Sequence, residues 1–249
     1  ALSAYHEADA TADALFAEKK YVQAAKMYVD IVDRDPHGED ADKALNNAAV
    51  AYENVKRYAA ATRLYERIVN EYPTSKFVDD ALFRTAVSYQ KAFEFDRAAI
   101  SYLRLAEDKR FSGSAHRTDA LYNAAIILEK DQNYMKEADL FKRYAAEKSI
   151  KRQDASEAFF RAAVNYEKLK DYDKANKTFA EYVRTYGNDP KGKERVLEAW
   201  FRIAQNDEAR RDKPAADALY KKIVKEGATV PPASEQAEFA AHAAFILTE

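Results

Sequence analysis

Cysteine is absent from the 249 residues, which excludes disulfides, thiolate nucleophiles and cysteine-ligated metals. Glycine and proline are scarce, at 5 and 6 residues. Alanine, glutamate, lysine and tyrosine take their place, a composition that favours helix throughout. Charge of one sign is missing too. A formal net charge of -2 provides no strong field to draw nucleic acid or an anionic membrane. Basic pairs such as Lys19-Lys20, Arg210-Arg211 and Lys221-Lys222 are dispersed and form no continuous stripe. No apolar run approaches the roughly 18 residues of a membrane helix, so direct insertion by this chain is not expected. The four histidines, His6, His37, His116 and His242, share no metal-ligand spacing. Glycine-rich phosphate loops and nucleophile motifs are lacking. Paired carboxylates such as Asp79-Asp80 stand at helix starts, where they face the helix dipole favourably. These absences predict a protein that is not an enzyme, with no cofactor and no metal. The chain opens on Ala1 rather than methionine and shows no signal peptide, as expected of a processed form or of part of something longer.

What is present is a repeat. "YVQAAKMYVDIVDRDP", "YAAATRLYERIVNEYP", "FDRAAISYLRLAED", "YMKEADLFKRYAAEK", "YDKANKTFAEYVRTYG" and "KPAADALYKKIVKEG" share one pattern. Their first residues, Tyr21, Tyr58, Phe95, Tyr134, Tyr172 and Lys213, lie 37, 37, 39, 38 and 41 apart. Three residues on come Ala24, Ala61, Ala98, Glu137, Ala175 and Ala216; four further, Tyr28, Tyr65, Tyr102, Phe141, Phe179 and Tyr220. Three more reach Ile31, Ile68, Leu105, Tyr144, Tyr182 and Ile223. Offsets of 3, 4 and 3 place all four on one helical stripe. A second helix precedes each. Its small residue is Ala12, Ala49, Ala86, Ala125, Ala163, Ala204 or Ala243, and four positions earlier stands an anchor: Ala8, Leu45, Leu82, Leu121, Phe159, Trp200 or Phe239.

Large residue, small residue, aromatic, alanine, aromatic, apolar, often proline: this order resembles the tetratricopeptide repeat. Pro36 and Pro73 occupy the proline position, and the likeness covers nearly the whole chain. The fold expected is all-α, a right-handed superhelical solenoid of about six helix pairs plus a C-terminal helix. It forms one domain over 1–249, with repeats at 3–36, 40–73, 76–110, 115–149, 154–189, 193–227 and a half repeat at 233–249. Two places depart from the pattern. Glu137 replaces the small residue, with Ala138 one position late, and Asp207 replaces an aromatic. An unpaired buried carboxylate is costly, so local irregularity or a partner such as Arg210 or Arg211 is expected. Asp154 with Glu157 reads as a capping box, and Pro214 as a first-turn proline.

Adjacent large residues raise the functional question. Leu82-Phe83, Leu121-Tyr122, Phe159-Phe160 and Trp200-Phe201 point about 100° apart on a helix. The first member packs within its repeat. The resemblance implies that the second faces the concave surface, or packs toward the neighbouring helix. The expected groove is Asn46, Val50, Phe83, Val87, Tyr122, Ile126, Phe160, Val164 and Phe201. Glu53, Asp80, Asp119, Glu129, Glu157, Glu167, Glu198 and Glu208 form its acidic rim. An apolar floor between carboxylates fits a protein or peptide segment carrying apolar and basic residues. The terminal helix, with Phe239, Phe245, Ile246 and Leu247, is a further candidate for self-association.

The Tyr-Pro-x-Ser connection at Tyr72–Ser75, followed by Asp79-Asp80-Ala81-Leu82-Phe83, is similar to the bacterial envelope branch of the family. That branch holds outer-membrane assembly lipoproteins and periplasmic cell-division coordinators. The resemblance implies a periplasmic scaffold, outer-membrane associated, serving a motility, secretion or assembly complex. The alternative is a structural segment of a longer array with no groove ligand.

Overall fold

Each stripe read from the sequence needs a partner helix to bury it, and chain order supplies one. The computed structural model describes residues 2–249, with side chains from Glu7 onward; Ala1 and the side chain of His6 lie outside the described residues. Among the described residues there are fourteen α-helices, one 3-10 turn and no strand. The chain forms two compact units, the first reaching Asn123 and the second starting at Ala124.

In the first unit, α1 (Leu2–Ala17), α2 (Tyr21–Arg34), α3 (Ala41–Asn54), α4 (Tyr58–Glu71), α5 (Val78–Lys91) and α6 (Phe95–Glu107) follow in order. Each packs against the next. A 3-10 turn, Lys109–Phe111, leads to α7 (Arg117–Lys130), within which the unit boundary falls. The second unit continues through α8 (Tyr134–Ala145), α9 (Arg152–Lys168), α10 (Tyr172–Tyr186), the single turn α11 (Pro190–Lys193), α12 (Val196–Ala209), α13 (Lys213–Gly227) and α14 (Glu235–Ile246). The longer spacings in the sequence, 39 and 41, thus become the 3-10 turn and α11.

The cores follow the period. All seven small residues, from Ala12 to Ala243, are 0% exposed: a methyl group there lets helix axes approach closely. The stripe residues Tyr28, Tyr65, Tyr102, Phe141, Phe179 and Tyr220 are sealed beside them, each contributing roughly 1.5–3 kcal/mol. The aromatics that open the second helix of each pair lie at its edge: Tyr58 is 43% exposed and Tyr21, Phe95, Tyr134 and Tyr172 are half-buried. Pro214 stands in the first turn of α13 as expected. The capping box does not form. Helix α9 begins at Arg152, after Lys151, so Asp154 lies inside the first turn instead of ahead of it.

The turn within each helix pair is built without glycine. Lys19, Lys56, Phe93, Gln132, Lys170 and Arg211 have φ between 55° and 64°. Around Lys56, its own N–H donates to the Glu53 carbonyl at 2.8 Å and the Arg57 N–H to the Tyr52 carbonyl at 2.8 Å. The same two bonds recur at the other five turns. This is the Schellman arrangement, usually given to glycine, because an L-residue there brings Cβ against the next carbonyl at a cost of about 1–2 kcal/mol. Lys56→Gly is therefore expected to raise stability by about 0.5–1 kcal/mol, read as a higher urea midpoint with unchanged helicity. A lower midpoint would show that the Lys56 side chain matters more than its backbone.

Candidate functional site: an aromatic floor under an arginine ladder

In the first unit, helix α5 carries Phe83 and Val87 one turn apart, on a face turned about 100° or more from its anchor, Leu82. Both are half-buried. With Glu53, Tyr58, Asp80, Arg84, Ser88, Lys91 and His116 they line a hollow of about 320 Å³. The hollow brings together four residues expected at the groove: Glu53, Asp80, Phe83 and Val87. Asn46 and Val50 are half-buried on α3, and Tyr122 is 37% exposed on α7. The Phe83 ring is already covered on one side. His116 stacks on it at 4.5 Å, with planes 11° apart. The histidine is held there by Asp80, whose Oδ1 lies 3.1 Å from His116 Nε2.

Arg84 binds two rim carboxylates at once. Its Nη1 donates to Glu53 Oε2 at 2.6 Å and its Nε to Asp80 Oδ2 at 2.7 Å. Glu53 sits at the end of α3, so the guanidinium ties one helix pair to the next.

The second unit repeats the device. Arg161, on α9, donates to Glu129 at 2.7 Å. Arg202, on α12, donates to Glu167 at 2.7 Å and to Glu198 at 3.0 Å. Arg195 donates to Glu157 at 2.8 Å and to Glu198 at 3.0 Å. Glu157, Arg195, Glu198, Arg202 and Glu167 thus alternate in sign as one chain. Burial pushes the Glu167 carboxyl above its ordinary range, and Arg202 pulls it back. Expected rim residues therefore divide. Six are engaged by arginine, Glu208 accepts from Tyr220 Oη at 3.0 Å, and Asp119 is exposed. The border is largely neutralised from within, which corrects the expectation of a freely acidic rim. The sequence held the signal: arginine directly follows the second ring at Phe83-Arg84, Phe160-Arg161 and Phe201-Arg202.

The floor of the second unit is closed. Ile126 and Val164 are half-buried, but Phe160 is 0% and Phe201 6% exposed. These two rings belong to the core, contrary to their expected place on a groove surface. The cause is local. Helix α9 packs against α8, α10 and α11, so it has buried residues on nearly every side. Phe160 meets Phe179 edge-on at 5.2 Å and Tyr182 at 5.0 Å, and the Arg195 guanidinium lies over its face at 3.6 Å. The turn α11 delivers that arginine. It docks on α10 through Gly192, whose carbonyl accepts from Tyr182 Oη at 3.4 Å. A Cβ at Gly192 would lie 1.9 Å from the Tyr186 carbonyl oxygen, so only glycine permits the approach. Phe201 is flanked in turn by Phe239 at 5.5 Å and His242 at 6.0 Å, both from α14. His116 and Arg195 hold one repeat position, each five residues ahead of the anchors Leu121 and Trp200.

The two departures from the pattern are resolved differently. Asp207 is 6% exposed and accepts from Asn176 Nδ2 at 2.8 Å and Arg210 Nη1 at 3.4 Å. Arg210 was expected and Asn176, from α10, was not. Glu137 is 1% exposed and its Oε2 has no hydrogen-bond partner in the protein. Burial pushes its carboxyl above the ordinary glutamate range, and neighbouring Glu129 adds to this. Asn165, Lys168 and Arg161 act the other way. Among the described residues no group of three or more His, Cys, Asp or Glu is arranged to hold a metal ion, and no helix is long and apolar enough to cross a membrane.

Comparison with known proteins bears on the helix pairs. A tetratricopeptide-repeat family model matches residues 43–75, 80–108 and 157–189. None of the curated proteins matches the chain in sequence. Among solved structures, a tetratricopeptide repeat protein from Parabacteroides merdae is 15% identical, with TM-score 0.48 over 97% of this chain and 99% of that one. PilF of Pseudomonas aeruginosa is 12% identical, with TM-score 0.42 over 96% and 98%. YrrB, a repeat protein described as having an unusual peptide-binding site, is 14% identical, with TM-score 0.45 over 88% and 98%. Three segments of the chain, two in the first unit and one in the second, match the tetratricopeptide-repeat model.

Proposed function

We propose that this chain is a non-enzymatic scaffold that docks a segment of another protein in the hollow of its first unit. The observation that carries this reading is the pairing of Phe83 and Val87, half-buried, at the floor of a hollow of about 320 Å³. Such a site can take one apolar side chain of an extended segment or of an amphipathic helix. Because Arg84 already engages Glu53 and Asp80, recognition rests on apolar burial, and basic residues of the partner add selectivity at the border. The Tyr72–Ser75 connection supports a periplasmic setting in a bacterial envelope complex, near the outer membrane. Fractionation of cells carrying the native protein tests the setting: recovery from the cytosol alone would refute it.

Binding is tested with segments selected from a displayed peptide library and measured by fluorescence anisotropy. Phe83→Ser with Val87→Ser is expected to weaken them at least tenfold, about 1.4 kcal/mol, with helicity retained. Undiminished affinity would remove the site from this hollow. A second reading draws on the sealed rings Phe160 and Phe201. In it the second unit is a structural segment with no groove ligand, and substitutions there change stability only.

A further inference from the structure

We propose that the α5–α6 edge of the first unit is a self-association surface, where Phe93 of one copy enters the hollow beside Phe93 of a second copy. Phe93 is the odd member of its set. The other five left-handed turn residues are Lys19, Lys56, Gln132, Lys170 and Arg211, all able to reach water. Phe93 has φ 61° and is 80% exposed, with an edge-on contact to Phe95 at 6.1 Å. A bulky ring at a positive φ is unfavourable in itself, and exposing it adds to the cost. Ile100, on the outer face of α6, is 67% exposed and enlarges the apolar surface.

Next to this ring lies a hollow of about 410 Å³ between α4, α5 and α6. Its lining includes Tyr58, Ala59, Tyr89 and Ala92, and Phe93's own neighbours Ala92 and Glu94 form part of the wall. It is roomy for a phenyl ring, since an apolar cavity of about 150 Å³ takes up benzene. A projection and a matching recess side by side on one surface are self-complementary. Under a two-fold axis each ring fills the other copy's recess, an isologous contact that closes at two. Charge agrees. Arg63, Glu66, Glu94 and Arg97 border the recess, two of each sign, so a second copy meets no net repulsion. Glu66 accepts from Tyr89 Oη, and Glu94 pairs with Arg97 at 3.1 Å. Arg63 has no ion pair among the described residues and is exposed, available to a carboxylate of the second copy.

Sedimentation velocity of the chain across a concentration series tests this. The expected result is a reversible monomer–dimer equilibrium that Phe93→Lys, the residue of three sibling turns, converts to monomer with helicity unchanged. Ala92→Arg, which blocks the recess and keeps the ring, is expected to do the same. Phe245→Ser, on the exposed face of α14, is expected to leave the dimer intact. A wild-type chain that stays monomeric up to roughly 1 mM, the weak end of the affinity scale, overturns the proposal. So does a dimer that survives both edge variants, or one dispersed by Phe245→Ser alone.

Discussion

Replacing Phe160 by alanine is expected to lower the stability of the second unit by about 3–5 kcal/mol, the range for truncating a sealed aromatic. The ring is enclosed by Phe179, Tyr182 and the Arg195 guanidinium. Its loss removes transfer free energy and leaves a space that α9, held between α8, α10 and α11, cannot close. It also strips Arg195 of an aromatic face worth about 0.5–2 kcal/mol. Phe83→Ala, at the equivalent place in the first unit, should cost less, because Phe83 is only half-buried. Urea unfolding followed by circular dichroism measures both. A Phe160→Ala protein within about 1 kcal/mol of wild type would mean that the ring is not enclosed in solution. The two halves of the chain would then have equivalent floors.

Glu137→Gln is expected to stabilise, and to do so only above acid pH. The Glu137 carboxyl, 1% exposed, is held above the ordinary glutamate value of 4.5 by burial. Well below that value it is protonated in the folded and unfolded chains alike, and glutamine is nearly its equal in shape. As pH rises, the unfolded chain releases its proton first. Stability then falls between the ordinary value and the raised folded one, and the loss is complete above both. Glutamine has no proton to lose. The variant should match wild type near pH 4 and exceed it by about 2–3 kcal/mol at neutral pH, the scale of a poorly satisfied buried charge. Thermal melts from pH 4 to pH 8 show the effect as curves that diverge on the alkaline side. Parallel curves, or divergence toward acid, would place the carboxylate in a compensated environment.

Sequence and structure agree wherever the period alone decides the outcome. Seven small residues in register become seven sealed methyl groups, and the second and third members of the 3-4-3 stripe are buried in every pair, because spacing along one helix fixes which face is buried. Asp207 with Arg210 was legible for the same reason, being three residues apart on one helix. What escaped depended on neighbouring segments. Whether a second ring stays half-open, as Phe83 does, or is sealed, as Phe160 is, depends on what the neighbouring helices and connections bring against it. His116 arrives by a turn and Arg195 by the inserted α11. No periodicity within a helix announces that path. The acidic rim misled for a related reason. The carboxylates are paired by arginines that follow the rings Phe83, Phe160 and Phe201 on the next helix pair. Glu137 and Ala138 are both buried, so the irregularity visible in the sequence is a real widening of the inward face of α8.

The alternating run from Glu157 through Arg195, Glu198 and Arg202 to Glu167 also constrains heredity. A single change at Arg202 strands Glu167 and unbalances Glu198, so a lone substitution meets selection before a compensating one can follow. Homologous chains that drop this arginine are expected to have dropped the glutamate of the preceding helix pair as well. The two positions, thirty-five apart in the sequence, would be passed on together as one letter.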